Sequence, residues 1–382
     1  MKVLLPDNDG HLNSYTLVGD YRPGTPLSTD SCRTIYSAAH VVADPFSLNN
    51  PHSASAIHWG DTLKFRRYLA SLGLGIAEAM DTAQRGMGLD WKGALELIRQ
   101  TRMELPNAMV ANGVGTDHVD LSAVTSIDQV VSAYHEQLVE VQKLDARVIL
   151  MASRALAKVA SSPKDYSTVY NQVLASCDHP VILHWLGEMF DPQLSGYWGG
   201  SNFENALNVV IEIIEDNVDR IDGIKISLLD KEKEIIMRRR LPSTVKMYTG
   251  DDFNYPELIE GDDLGYSHAL LGIFDPLADV ASNAVSRLNE NDVESYRQLL
   301  QPTVPLARHI FRAPTQYYKT GVVFLAWLNG FQEHFVMLKG AQSDRNLYDF
   351  SQTFQLADQA NILVDPERAC FKMKQLLAMY GL

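Results

Sequence analysis

The feature that most constrains this chain is a regular alternation between residues 34 and 273. Eight short apolar runs of strand length recur there: "TIYSAAHVV" (34–42), "GIAEAM" (75–80), "NAMVAN" (107–112), "RVILMA" (147–152), "PVILHW" (180–185), "GIKIS" (223–227), "TVKMYTG" (244–250) and "SHALLGI" (267–273). Strands covered on both faces read as nearly continuous apolar runs. The segments between them have helical spacing. In 203–217, Phe203, Leu207, Val210, Ile211 and Ile214 share one face. Further helices are predicted over 61–71, 91–103, 127–144 and 167–176, the first opened by Asp61 and followed by Gly73. Eight strands alternating with helices predict a (β/α)8 TIM barrel. A doubly wound sheet would carry a glycine-rich phosphate loop after its first strand, and "HVVADPFSLNN" contains none.

The flanks read differently. Residues 1–30 combine an alternating stretch, "LNSYTLVGDYR", with a turn-rich cluster, "PGTPLSTDS", and predict a β-hairpin extension. The barrel is expected over 31–290 and a helical region packed on it over 291–382. The apolar run "GVVFLAWLNGF" exceeds what one barrel face needs and points to a subunit interface, hence a homodimer or homotetramer.

With 382 residues, 46% of them hydrophobic, the chain has enough apolar material for a large core. Its formal charge of −14 argues against nucleic acid or an anionic membrane as partner. The one basic run, Arg238-Arg239-Arg240, reads as the end of a helix. Cys32, Cys177 and Cys370 form no metal-ligand spacing and suit a reducing compartment. No apolar run reaches membrane-spanning length, and "MKVLLPDNDG" is too short for a signal peptide, so a cytoplasmic location is expected.

In such a barrel, functional groups project from the C-terminal ends of the strands. Those ends offer Glu78, Asp81, Thr82, Gln84 and Arg85 after the second run, Asn112, Asp117 and His118 after the third, and Arg154 and Lys158 after the fourth. His184 and Glu188 follow in the fifth, Lys225 in the sixth, Asp251 and Asp252 after the seventh, and His268 in the eighth. Lys225 is the most informative. A buried ammonium is costly, and desolvation favours the neutral amine, which attacks carbonyls to give a Schiff base. The competing reading is an ion pair with Glu78 or Asp81.

The order of these segments resembles the dihydrodipicolinate synthase / N-acetylneuraminate lyase family of class I aldolase-type barrels. "GIKIS" is similar to that family's lysine-strand motif, "VKMYTGDDFNYPEL" to its following strand end, "AMVANGVGTD" to its third strand, and "PVILHWLGEMFDP" stands where its fifth strand lies. The resemblance implies a lyase or aldolase using a Lys225 Schiff base, no cofactor, and a small-molecule carbonyl substrate. His184 stands where the family has a proton-relaying tyrosine, and histidine serves as acid or base near neutrality. Asp81-Thr82 replaces the paired threonines that hold a keto-acid carboxylate, and Ala83-Gln84 replaces Gly-Glu. A carboxylate at Asp81 repels pyruvate, so a sugar-derived ketone fits better. Glu78, Asp81, Thr82, Gln84, Asn112, Arg154 and Asp251 are the expected substrate-binding residues.

Two other readings remain open at this level. Glu78, Asp81, His118, His184 and Asp251 offer the mixed N/O ligands of a divalent-metal isomerase or hydrolase, without any HxH or HExxH spacing. Alternatively, the departures from the family mark a non-catalytic, sugar-binding barrel, with Trp185 and Trp198 flanking the fifth-strand loop as stacking platforms.

Overall fold

The structure is a computed structural model describing residues 1–382. The chain begins with an antiparallel pair, β1 (Lys2–Pro6) and β2 (Leu12–Thr16). The barrel strands follow: β3 (Ile35–Ala38), β4 (Gly75–Glu78), β5 (Val110–Val114), β6 (Arg147–Leu150), β7 (Val181–Leu186), β8 (Ile221–Ser227), β9 (Lys246–Thr249) and β10 (His268–Leu271). All are parallel, and β10 pairs with β3 to close the sheet. The helices between them are α1 (Trp59–Ser71), α2 (Trp91–Glu104), α3 (Ile127–Gln142), α4 (Arg154–Val159), α5 (Pro163–Ala175), α6 (Phe203–Asp216), α7 (Lys231–Arg238) and α8 (Tyr255–Glu260). After β10 come α9 (Ala278–Asn289), α10 (Val293–Leu300), α11 (Val304–Ile310), α12 (Tyr318–Leu328), α13 (Leu347–Gln359) and α14 (Pro366–Met379). None is long and apolar enough to cross a membrane.

Each predicted strand exists, and local chemistry explains the helix ends. The α1 helix starts earlier than expected because the His58 side chain caps it, leaving Asp61 in the first turn, where a carboxylate suits the helix dipole. The α3 helix opens with a reciprocal capping box between Ser126 and Gln129. Arg238 ends α7 and pairs with Asp262, so the basic run terminates a helix as read.

Alternation along the strands sorts side chains between barrel interior and helical shell. Tyr36, Ala38, Ala77, Ala111, Ile149, Ile182, Tyr248 and Leu270 fill the interior with Met80, while Ile76, Val114, Leu183, Ile224 and Ile226 pack outward. The α12 helix is buried along its whole length within this one chain. Its apolarity, read above as a subunit interface, is therefore satisfied internally against barrel helices and its C-terminal neighbours.

Candidate active site

The lysine strand β8 explains its own sequence. Gly223, Lys225 and Ser227 point inward, while Ile224 and Ile226 pack against the shell. Gly223 is required because a Cβ there would lie 2.6 Å from the Tyr248 ring, which fills the barrel below the lysine. Gly250, at the end of β9, is required for the lysine itself: a Cβ there would meet Lys225 Cε at 2.7 Å and overlap Ser227 Oγ. The side chain of Lys225 is thus threaded up the barrel between two positions that tolerate no side chain.

Lys225 is 8% exposed, and its amine enters no hydrogen bond or ion pair within the protein. The expected alternative partner, Glu78, is engaged elsewhere. Burial pulls the lysine pKa below its ordinary value, against the opposing fields of Asp81 and Asp252. Across the strand pair, His184 lies in register with Lys225. It is fully buried, with Nε2 3.4 Å from Ser227 Oγ and Nδ1 without a partner. Burial, and then the positive charge of Lys225, keeps its pKa well below the usual value, so the imidazole is neutral. Asp252 accepts the Ile273 amide at 2.8 Å, and burial raises its carboxyl to about 7.

Above these groups lies a cavity of about 150 Å³, lined among others by Asp81, Arg85, Thr116, Arg154, His184 and Asp191. Arg85 is held by Asp117 and Gln137, and Arg154 gives its Nε to Asp191 at 2.5 Å. Thr82 Oγ1 lies 2.8 Å from the hydroxyl of Tyr318, whose phenol is raised well above its usual pKa by burial and by Asp81. Tyr318 and its neighbour Lys319 come from α12, beyond the barrel, and no local sequence signal announces them. Ser227 and Asp252 also belong to the site, although the sequence reading gave weight only to Asp251.

Several expected site residues lie elsewhere. Glu78 shares the outward side of β4 with Ile76: its carboxylate takes two bonds from Arg66 (2.9 and 3.0 Å) and one from Thr101 (2.7 Å), all fully buried. Asn112 falls inside β5 because the strand runs on through Gly113 and Val114. Its amide donates to the Arg147 carbonyl, and it lines a separate cavity with Asn107 and Arg147, the residue that opens β6. Gln84 clamps both the N–H and the C=O of Leu338, fastening the C-terminal region to the barrel. Asp251 accepts the Phe253 and Asn254 amides in a local turn. His118 bonds to Glu136 and Gln137, Lys158 donates to the Leu121 and Val124 carbonyls, and His268 opens β10, at the opposite end from the mouth.

The proposed metal ligands Glu78, Asp81, His118, His184 and Asp251 therefore do not converge. Three potential donors come within ligating distance of one another only at Asp7, Asp9 and His11, in the hairpin turn. Trp185 stacks on Phe203, and Trp198 is sealed among Tyr166, Tyr170 and Tyr197, so both belong to the aromatic core.

The (β/α)8 barrel is similar in fold to solved dihydrodipicolinate synthases. The dihydrodipicolinate synthase of Acinetobacter baumannii, solved in complex with pyruvate, superimposes with a TM-score of 0.65 at 14% identity, covering 86% of this chain and 99% of that one. The 4-hydroxy-tetrahydrodipicolinate synthase of Methylacidiphilum fumariolicum gives 0.64 at 16%, covering 90% and 99%. A monomeric dihydrodipicolinate synthase variant gives 0.64 at 13%, covering 87% and 97%. Residues 3–382 match the model of the family described as "Protein of unknown function (DUF993)", and the chain belongs to that family. No curated protein matches the sequence.

Proposed function

We propose that the protein is a carbon–carbon lyase of the Schiff-base aldolase type, acting on a small carbonyl compound, a sugar-derived ketone or a keto acid. The observation that carries this reading is the Lys225 amine: inward-facing, buried, unpaired, and with its ammonium form disfavoured. The neutral amine attacks the carbonyl carbon, and the carbinolamine hydroxyl takes up a proton and leaves as water to give an iminium ion. When the adjacent C–C bond breaks, its electron pair flows to the iminium nitrogen and gives an enamine. The departing fragment loses a hydroxyl proton as its own carbonyl forms, and the enamine carbon takes up a proton. The reverse sequence makes the bond.

His184 is suited to both transfers, because it is neutral, lies on the neighbouring strand and has a free Nδ1. The carboxylates of Asp81 and Asp252 favour the cationic iminium. The electron sink is the lysine itself, so the reaction calls for no cofactor. Asp81 disfavours a carboxylate placed next to the reacting carbonyl, and the Thr82–Tyr318 pair offers hydroxyls to a hydroxylated substrate.

Borohydride reduction in the presence of ketosugars and keto acids tests this reading. A reduced adduct is expected on Lys225 and is expected to vanish in Lys225→Met. An intact mass that never shifts across both compound classes overturns it. The expected homodimer or homotetramer is tested separately by sedimentation, where a monomer at micromolar concentration removes it.

A further inference from the structure

Two cations at the barrel mouth keep donors that the protein does not use. Arg154, the first residue of α4, gives only its Nε to Asp191; no protein acceptor takes its two terminal nitrogens. Lys319, on α12, is 5% exposed, yet its amine hydrogen-bonds only to the Gln316 carbonyl at 3.0 Å and the Met87 sulfur at 3.5 Å, and lies 4.5 Å from the centre of the Tyr318 ring. No carboxylate pairs with it. A buried ammonium held by one carbonyl and one thioether has donor capacity to spare, and leaving that capacity unused is costly.

The two side chains converge on one turn of the chain. A Cβ built on Gly86 would lie 3.9 Å from Arg154 Nη1, and Met87, the next residue, supplies the sulfur beside Lys319. Gly86, Arg154, Asp81 and Asp191 all line the cavity that His184 borders. Lys319 lies within the fields of Asp81, Asp191, Arg154 and Asp344, and burial lowers its pKa to about 8 despite the three carboxylates. Asp81 also acts on Lys225. Arg154 and Asp81 thus line the chamber that His184 borders, Lys319 adjoins it through Met87, and the field of Asp81 acts on both Lys319 and Lys225.

We infer that Lys319 and Arg154 form a receptor for an anionic group, a phosphate or carboxylate, carried by the substrate at the end remote from its reacting carbonyl. A phosphate or carboxylate oxygen matches both donors, the guanidinium presenting a planar fork and the ammonium a point charge. Asp81 keeps the anion away from the carbonyl end, so the two features together select a ketone with a distal negative charge. This deepens the aldolase reading and rests on it for the word substrate; the anion receptor itself stands on Lys319 and Arg154.

The experiment compares half-saturating concentrations for borohydride trapping on Lys225 with dihydroxyacetone (neutral), dihydroxyacetone phosphate (distal phosphate) and levulinate (distal carboxylate). At least one anionic ketone is expected to saturate at a concentration about tenfold or more below the neutral one. That ratio is expected to fall toward one in Lys319→Met and in Arg154→Gln. The phosphate and levulinate arms tell which anion the receptor prefers. Equal half-saturation in the wild type, or a ratio unmoved by both substitutions, overturns the inference.

If no ketone labels Lys225, the aldolase reading fails by itself. The receptor is then read by equilibrium dialysis of inorganic phosphate against the wild type and both variants. Saturable binding that is lost in either folded variant upholds the receptor, and its absence from the wild type overturns it.

Discussion

Glu234→Gln is expected to pass from nearly neutral in its effect on stability near pH 5 to clearly stabilising above pH 7. Glu234 lies on α7 and is 1% exposed; its two oxygens accept the hydroxyls of Thr249 (2.8 Å) and Ser267 (2.7 Å). It thus ties the strand end beside Lys225 to the start of the closing strand. Burial raises its carboxyl from 4.5 to about 8, with Asp251 adding to the rise and the two hydroxyls and Arg238 opposing it. The folded protein therefore binds a proton that the unfolded chain releases above about 4.5. The resulting stability is fully present below that pH and is lost as pH rises toward 8, a total of about 4–5 kcal/mol. The variant has nearly the shape of the protonated acid and does not titrate, and its amide, like the protonated carboxyl, offers one carbonyl acceptor and one donor group. Urea unfolding at a series of pH values from 5 to 9 is the assay. The variant is expected to match the wild type to within a few tenths of a kcal/mol near pH 5 and to be about 3–4 kcal/mol more stable near pH 8.5. Two stability curves that stay parallel over the whole range would refute a buried, protonated Glu234.

Three further outcomes follow from the site. Gly250→Ala places a methyl group against Lys225 Cε and Ser227 Oγ, so borohydride labelling of Lys225 should fall at least about tenfold while the circular dichroism spectrum is kept. Asp252→Asn removes a carboxylate that favours the ammonium, so the pH at which labelling of Lys225 becomes half-maximal should move down, measured by intact mass over a pH series. Arg66→Met strands the buried Glu78 carboxylate and should destabilise the fold by about 3–5 kcal/mol in urea. Because Glu78 faces the shell, labelling of Lys225 by the protein that remains folded should persist.

The barrel was legible because parallel strands covered on both faces leave long apolar runs, and each of the eight proved to be a strand. Lys225 was legible for the same reason, as a charge in an otherwise apolar run at a strand end. What misled was direction. Glu78 lies two residues after Ile76 and shares its outward side, so its fate was written in the period of two, but the strand-end rule drew it to the mouth. Asn112 was misjudged because Gly113 reads as a loop, whereas the strand runs on to Val114. Asp251 and Asp252 are chemically identical neighbours. Only the local turn at one and the Ile273 amide at the other separate their roles. Tyr318 and Lys319 were beyond local reading, since their partners Thr82 and Met87 lie more than 230 residues away.

That last separation bears on how the site comes into being. A chain emerging from the ribosome completes all eight strands by Leu271, with Lys225, His184 and Asp252 already made. Tyr318 and Lys319 come later, and Leu338, which Gln84 grips through both backbone groups, comes later still. A nascent barrel thus holds Lys225 before it holds the helix that covers the mouth. The Gln84–Leu338 clamp closes only when a segment made well after the last barrel strand has docked. Covering of the barrel mouth is therefore a later event in the life of the polypeptide than closure of the sheet.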